Sequence, residues 1–430
     1  MKKIILSLFL SSLLFSNAYA VTLYQALNET YKNNTQLNAE RENIKAAEED
    51  INISQADYLP SVSLSGSKSF ENTNEITTQA GADASVSDVN PLSSSIKLEQ
   101  TLYDQGRDFT HQKNIVGLDL AKAKLVKKEQ DILYSAIDAY TGLILAREKL
   151  NINRRNLNLL IRQVETDKVR LDRGQITITD LSQSESSLAE AQAQFTQSTS
   201  DLLISKLNYE NIIGKVDDPT KLKKSLNSIV GIPGSLSKAI SLSKENNPDI
   251  KIAELELTQS EKDIEISEAD LKPTATLSLE RSYNYDLSST YDEREKDVLK
   301  ATVSWPFYSG GKKRSKINKN SNLTSRKRLL LEDAIKTNET NVSSAWSSLE
   351  ASKGFLNSVR AQVRAAKIAN EGISAEYERG SRTTLDVIQS NSLLLSAQIS
   401  LANSERNYLL AQYNLLKAAG LLNKEYLKLK

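Results

Sequence analysis

Apolar residues recur with helical spacing across two long proline-free stretches, 92–218 and 307–430. In the second, Leu385, Ile388, Ser392, Leu395, Ile399, Ala402, Arg406, Leu409, Tyr413 and Leu416 keep the alternating three-four spacing of a coiled-coil seam. The first carries a matching seam, Leu181, Ser184, Leu188, Ala191, Phe195, Ser198, Leu202, Ser205, Tyr209 and Ile212. Proline breaks helix interiors, so both stretches predict very long helices. One, from about Gly106 to Leu171, would reach roughly 100 Å at ~1.5 Å per residue. Small residues alternate with large ones along both seams, which lets helices approach closely.

The period changes to two after Pro60 and Pro273. Serine fills every second position of 61–70 while Val62, Leu64 and Phe70 share the other face, and 274–279 alternates in the same way. Partner strands are predicted at 96–102 and 299–305, with polar loops at 71–91 and 284–297. Runs of about ten residues with one apolar face match tilted strands crossing a bilayer. Tyr103, Trp305, Phe307 and Tyr308 gather where strand pattern meets helix pattern, as an interfacial aromatic girdle would. Four strands are too few to close a membrane barrel, so strands of this chain that span lipid require oligomerisation. A small soluble antiparallel sheet is the alternative this pattern allows.

The pattern is duplicated. Thr22-Leu23, Ala26, Asn33-Asn34 and Pro60 return 213 residues later as Ser235-Leu236, Ala239, Asn246-Asn247 and Pro273. Ala139-Tyr140, Arg173-Gly174, Asp180 and Gly214 return 206 residues later as Ala345-Trp346, Arg379-Gly380, Asp386 and Gly420. Each half is therefore expected to follow one plan of helix, two strands and long helical hairpin. Residues 21–214 form the first repeat, 215–234 a linker and 235–430 the second repeat. Gly174 and Gly380 sit where the hairpins must turn and are expected to cap the helix ends. Residues 1–20, with Lys2-Lys3, an apolar run and Ala18-Tyr19-Ala20, read as a secretory signal.

Composition removes chemistries rather than adding them. The chain has 430 residues, no cysteine and one histidine, His111. This excludes disulfides, thiolate catalysis and multi-histidine metal centres. Neither a Ser/His/Asp arrangement nor a phosphate loop is present, so no cofactor and no catalytic residue are expected. Basic and acidic residues number 55 and 54, too even for a nucleic-acid partner. Only 15 glycines and seven prolines agree with few turns and long elements. His111, the acidic run 48–50 and the basic run Lys312-Lys313-Arg314 read as solvated surface, the basic run lying where lipid phosphates could meet it.

From Leu23 to about Leu422 the sequence resembles the TolC family of outer-membrane efflux and secretion channels. The resemblance is strongest at Tyr377-Glu378-Arg379-Gly380-Ser381-Arg382-Thr383-Thr384-Leu385-Asp386-Val387, followed by Ala397-Gln398 and Arg406-Asn407-Tyr408. Its first-half counterpart runs from Arg173 to Leu181. The resemblance implies a mainly α fold with a small β part. Three chains would form a 12-stranded outer-membrane β-barrel on a 12-helix periplasmic α-barrel. It implies a passive exit duct that works with a periplasmic adaptor and an inner-membrane transporter. It further implies a periplasmic gate at the hairpin tips, for which Asp180, Tyr377, Arg382 and Asp386 are the candidates by position. Where the family commonly places a second inward aspartate, this sequence has Gln389, which bears on cation selectivity. The competing reading is a secreted or periplasmic structural coiled-coil protein without a pore.

Overall fold

The computed structural model describes residues 21–76, 85–216, 218–224, 231–288 and 291–429. The expected signal segment and part of the expected linker lie outside them. The first half contains helices α1 (Leu23–Asn33) and α2 (Thr35–Ala56), strands β1 (Ser61–Lys68), β2 (Glu71–Ile76), β3 (Ser85–Val89) and β4 (Leu92–Tyr103), then helices α3 (Gln105–Asp172) and α4 (Ile178–Ile212). The second half contains α5 (Leu236–Asn246), α6 (Pro248–Ala269), β5 (Thr274–Ser288), β6 (Tyr291–Ser304), α7 (Lys312–Glu378), α8 (Thr384–Ala418) and a short α9 (Lys424–Leu427). Counterpart helices have nearly equal lengths: 11 and 11, 22 and 22, 68 and 67, and 35 and 35 residues. The chain divides into two compact units, each drawing on both halves of the sequence.

One unit comprises 1–38, 128–247 and 339–430. Its core gathers Leu27, Leu133, Ile137, Tyr140, Leu143, Tyr413, Leu416 and Leu422, all buried. Each large aliphatic side chain taken from water there contributes about 1.5–3 kcal/mol. Burial raises the Tyr140 and Tyr413 hydroxyl pKa values, the latter to about 12, so both stay protonated. The Tyr140 hydroxyl lies 2.9 Å from the Val21 carbonyl and 2.8 Å from that of Lys223.

The duplicated asparagines do equivalent work in this unit. Asn34 and Asn247 leave the helical region after α1 and α5, and each side chain turns toward a hairpin end. Asn34 Nδ2 donates to the Ile212 carbonyl at 3.1 Å, and Asn247 Nδ2 donates to the Ala418 carbonyl at 3.1 Å. Both supply a partner to a carbonyl at a helix end that lacks one within the helix.

The first predicted seam is right throughout, every position being buried or half-buried. The second needs correction near its start. Leu385 and Ser392 are exposed, and the buried stripe there is Thr384, Val387, Ser390 and Asn391. The reason is polar pairing: Asn370 of α7 donates to Ser390 Oγ at 2.9 Å and to Asn391 Oδ1 at 2.6 Å, turning those residues inward.

The other unit comprises 39–127 and 248–338 and holds the strands. Four form an antiparallel sheet ordered β1-β4-β5-β6. Its register aligns Val62, Leu98, Leu279 and Leu299 in one row, with Leu277 and Ala301 opposite each other on the same face. Ser61, Glu99, Ser278 and Lys300 form a row on the other face. The alternation read in the sequence thus becomes one apolar and one polar surface. The apolar one is bare: Leu64 is 82% exposed, Leu299 71% and Val303 72%.

The described parts of the expected loops 71–91 and 284–297 are mostly strand instead, positions 77–84 and 289–290 lying outside the described residues. β5 and β6 continue to Ser288 and from Tyr291, while β2 and β3 pair as a separate two-stranded sheet. A polar hairpin satisfies its backbone groups in the ladder as well as an apolar one does, so polarity alone does not end a strand. Phe70, expected in the strand, falls between β1 and β2 with the Lys68 ammonium 5.7 Å from its ring. No helix of the described residues is long and apolar enough to cross a membrane.

Gly420 follows α8 with φ +75°, and a Cβ there would lie 2.4 Å from the Asn246 backbone. Gly174 has φ +68° but open space around it. Gly174→Ala should therefore cost only the left-handed penalty of about 1–2 kcal/mol. Gly420→Ala should cost clearly more, because the backbone must also move. Denaturant unfolding of the two variants checks the order.

Candidate functional site at the hairpin tips

Both hairpins reverse by the same local chemistry. α3 ends with Gly174 in the left-handed region, its N–H donating to the Leu171 carbonyl at 2.8 Å while the Gln175 N–H reaches the Arg170 carbonyl at 2.9 Å. α7 ends alike, with Gly380 (φ +79°) bonded to Tyr377 and the Ser381 N–H to Glu376. These are Schellman closures, which satisfy the last carbonyls of each helix.

The next helices start on capping boxes. Thr177 Oγ1 accepts from the Asp180 N–H at 3.2 Å, and Asp180 Oδ2 accepts from the Thr177 N–H at 2.9 Å. Thr383 and Asp386 repeat this at 3.2 and 3.0 Å. The backbone N–H of each threonine, followed by its hydroxyl, holds the paired carboxyl below its usual range. Asp180 and Asp386 are therefore the residues that start α4 and α8.

Arg382 is exposed and its Nε donates to Glu376 Oε2 at 2.6 Å. Tyr377 behaves differently. It is 5% exposed, and its hydroxyl donates to Asp167 Oδ1 at 2.7 Å while lying 3.2 Å from Thr384 Oγ1. Burial, then the bond to Asp167, raises its pKa. The Arg170 guanidinium covers its ring at 4.2 Å.

Asp167, absent from the sequence-based candidates, is the centre of this cluster. It is fully buried and accepts from Tyr377, from Ser184 Oγ at 2.5 Å and from Gln163 Nε2 at 3.0 and 3.1 Å. These donors come from α3, α4 and α7, so one carboxylate ties the first hairpin to the second. Of the four positional candidates, only Tyr377 belongs to the cluster. The missed signal lay in the hairpin geometry: Asp167 lies five residues before the end of α3 and the seam residue Ser184 six after the start of α4, so the turn brings them together.

In the strand unit, Tyr103, Trp305, Phe307 and Tyr308 are 49%, 64%, 89% and 85% exposed. Trp305 Nε1 donates to the Leu271 carbonyl at 3.1 Å and its ring meets Phe307 edge to face. Register adds Tyr283 and Tyr285 to the face carrying Leu279, at the opposite end of its apolar rows. His111 is half-buried, with Nδ1 2.8 Å from Ser54 Oγ. Among the described residues no group of His, Asp and Glu is placed to hold a metal ion.

The model of the family described as outer membrane efflux protein matches residues 26–215 and 239–421. The chain belongs to that family. It is an outer-membrane channel protein that extends into the periplasm, and its family is one of transport proteins. The sequence is 27% identical to the outer membrane efflux protein BepC of Brucella suis, over 96% of this chain and 88% of that one. It is 22% identical to the alkaline protease secretion protein AprF of Pseudomonas aeruginosa, over 97% of this chain and 88% of AprF. The fold is that of the Campylobacter jejuni CmeC outer membrane channel, with a TM-score of 0.81 at 16% identity, covering 95% of this chain and 90% of that one. These likenesses favour the channel over a poreless coiled-coil protein.

Loss of a cap hydroxyl in Thr177→Ala should destabilise the start of α4 by about 1 kcal/mol at neutral pH. The Asp180 pKa is depressed in the folded state, so the carboxylate's share of the box is present above the unfolded value of about 3.9 and is lost as pH falls through the folded one. The difference between wild type and variant should therefore shrink in acid. Amide exchange in the first turn of α4, followed from neutral pH downward, measures it.

Proposed function

We propose that this chain forms a homotrimeric exit duct, closed at the hairpin tips and opened by partner proteins. The four-stranded sheet carries this reading. Its edge strands β1 and β6 each pair on one side only among the described residues, and its apolar face is exposed. Bilayer hydrocarbon offers no partner to an open edge. Three copies joined edge to edge give twelve strands and leave no edge, with Leu279 and its row toward lipid and Glu99 and Lys300 toward the lumen. The long hairpins then line the periplasmic tunnel, and the halves 21–214 and 235–430 act as two copies of one unit. Tyr103, Trp305, Phe307 and Tyr308 mark the outer-membrane lipid interface.

The tip cluster supplies the closed state. Tyr377 bound to Asp167 latches the second hairpin to the first, and threefold repetition multiplies a bond that is weak singly. Arg382, exposed beside Glu376, is available to a carboxylate of a neighbouring copy. Asp180 and Asp386 fix the helix starts and place negative charge at the mouth, which favours cations even with glutamine at position 389. The chain contributes no energy source, so opening is assigned to an inner-membrane transporter acting through a periplasmic adaptor. BepC is an efflux protein by name and AprF a protease secretion protein; the shared duct serves either cargo, drugs or proteins, and the transporter and adaptor select it.

In planar bilayers the purified wild type should conduct weakly. Tyr377→Phe and Arg382→Ala should each raise the conductance several-fold without changing the oligomeric state. Equal conductance in all three proteins would show that neither side chain latches the tip.

A further inference from the structure

The basic run that opens α7 takes no part in the duct or the latch. From 312 to 328 the helix carries eight lysines and arginines and no carboxylate. Three of them are tied to α6: Lys313 donates to the Asp270 carbonyl, Lys316 pairs with the Asp270 carboxylate at 2.7 Å and Lys327 with Glu256 at 2.6 Å. Lys312, Arg314, Lys319, Arg326 and Arg328 are exposed, and none is paired with a carboxylate among the described residues.

The repeated fold does not call for these charges. Tyr103, Gly106 and Arg107 return 205 residues later as Tyr308, Gly311 and Lys312, so Lys312, Arg314 and Lys319 correspond to Arg107, Phe109 and Asn114 of α3. Arg107 is engaged internally: it donates to the Asp57 and Thr101 carbonyls at 3.0 and 3.2 Å, and its guanidinium lies 4.0 Å from the centre of the Tyr58 ring. Only the second repeat turns this position into exposed positive charge.

The neighbouring residues point to the partner. Lys312 follows closely on the exposed Trp305, Phe307 and Tyr308, and all four belong to the compact unit that holds the sheet. The headgroup layer on each side of a bilayer is ~5–8 Å deep. At ~1.5 Å per residue, Lys319 lies ~10 Å along the helix from Lys312, close enough for a flexible side chain to reach back, whereas Arg326 and Arg328 lie ~21 and ~24 Å away.

We propose that Lys312, Arg314 and Lys319 form a collar that binds the phosphates of anionic phospholipids in the leaflet nearest the helices. The inference rests on the reading that the strands span the outer membrane. Lipid phosphates accept charge-assisted bonds from ammonium and guanidinium groups, and each basic side chain near an anionic surface strengthens binding about fivefold. Lys312 and Lys319 share one face of the helix and Arg314 extends from the other, so both flanks of the helix start are covered. A trimer repeats the collar around one rim of the barrel only, which fixes the depth at which the barrel sits.

The test uses the full-length protein carrying Trp346→Phe, which leaves Trp305 as its sole tryptophan, reconstituted into vesicles. Brominated phosphatidylcholine should quench Trp305. At low ionic strength phosphatidylglycerol should displace the brominated lipid about fivefold better than unlabelled phosphatidylcholine does. The preference should vanish in ~1 M salt, where the Debye length is ~3 Å. The triple variant Lys312→Gln/Arg314→Gln/Lys319→Gln should lose it, while Arg326→Gln/Arg328→Gln, equally exposed but too far along the helix, should keep it. Quenching without a preference for phosphatidylglycerol, or a preference that survives in the triple variant, would overturn the collar and leave the barrel standing. No quenching of Trp305 by the brominated lipid would remove the barrel's lipid contact and the collar with it.

Discussion

A carboxylate withdrawn from water has to be met by donors, or its burial costs more than the surrounding contacts return. Asp167 is met by Gln163 of its own helix, Ser184 of the next and Tyr377 of the second hairpin. Only the Gln163 bond lies within one helix. If the hairpins separate, Asp167 loses its Tyr377 donor and must be rehydrated or left unsatisfied. In the proposed closed state the tip is held by the cost of exposing a polar centre, and hydrophobic packing brings the helices close enough to make it. Such a bond is strong while dry and weak once water enters, which suits a state that must be both definite and reversible.

The sheet obeys the same requirement in another solvent. Its edges and its apolar face are tolerable only if other strands and lipid cover them. A single chain is complete in neither respect. The proposed duct and the proposed latch therefore both rest on satisfying polar groups, by other copies at the sheet edges and by the facing hairpin at the tip.

Much of this was legible in the sequence. Absence of proline located α3, α4, α7 and α8, and Gly174 and Gly380 located their turns, because helix interiors and left-handed caps impose strict residue choices. The strand faces could be read because alternation survives in the register from Val62 to Leu299. What escaped was set by pairing between elements. Asp167 sits in a charged run, Glu165-Thr166-Asp167-Lys168, that looks solvated until Ser184 and Tyr377 are placed around it. Asp180 and Asp386 stood out by their repeat spacing, yet that repetition reflects two equivalent capping boxes. The seam of α8 shifted for the same reason: Asn370 selects Ser390 and Asn391, and no helical period encodes that choice. The extents of β5 and β6 were hidden because a polar ladder resembles a polar loop.

In the proposed latch, Asp167 and Tyr377 act as one unit. A double-mutant cycle on open probability in bilayers, with Asp167→Asn, Tyr377→Phe and the double variant, tests it most directly. A shared latch gives strong non-additivity, with the double variant opening little more than either single one. Additive effects would show that the two residues act separately and would contradict the latch.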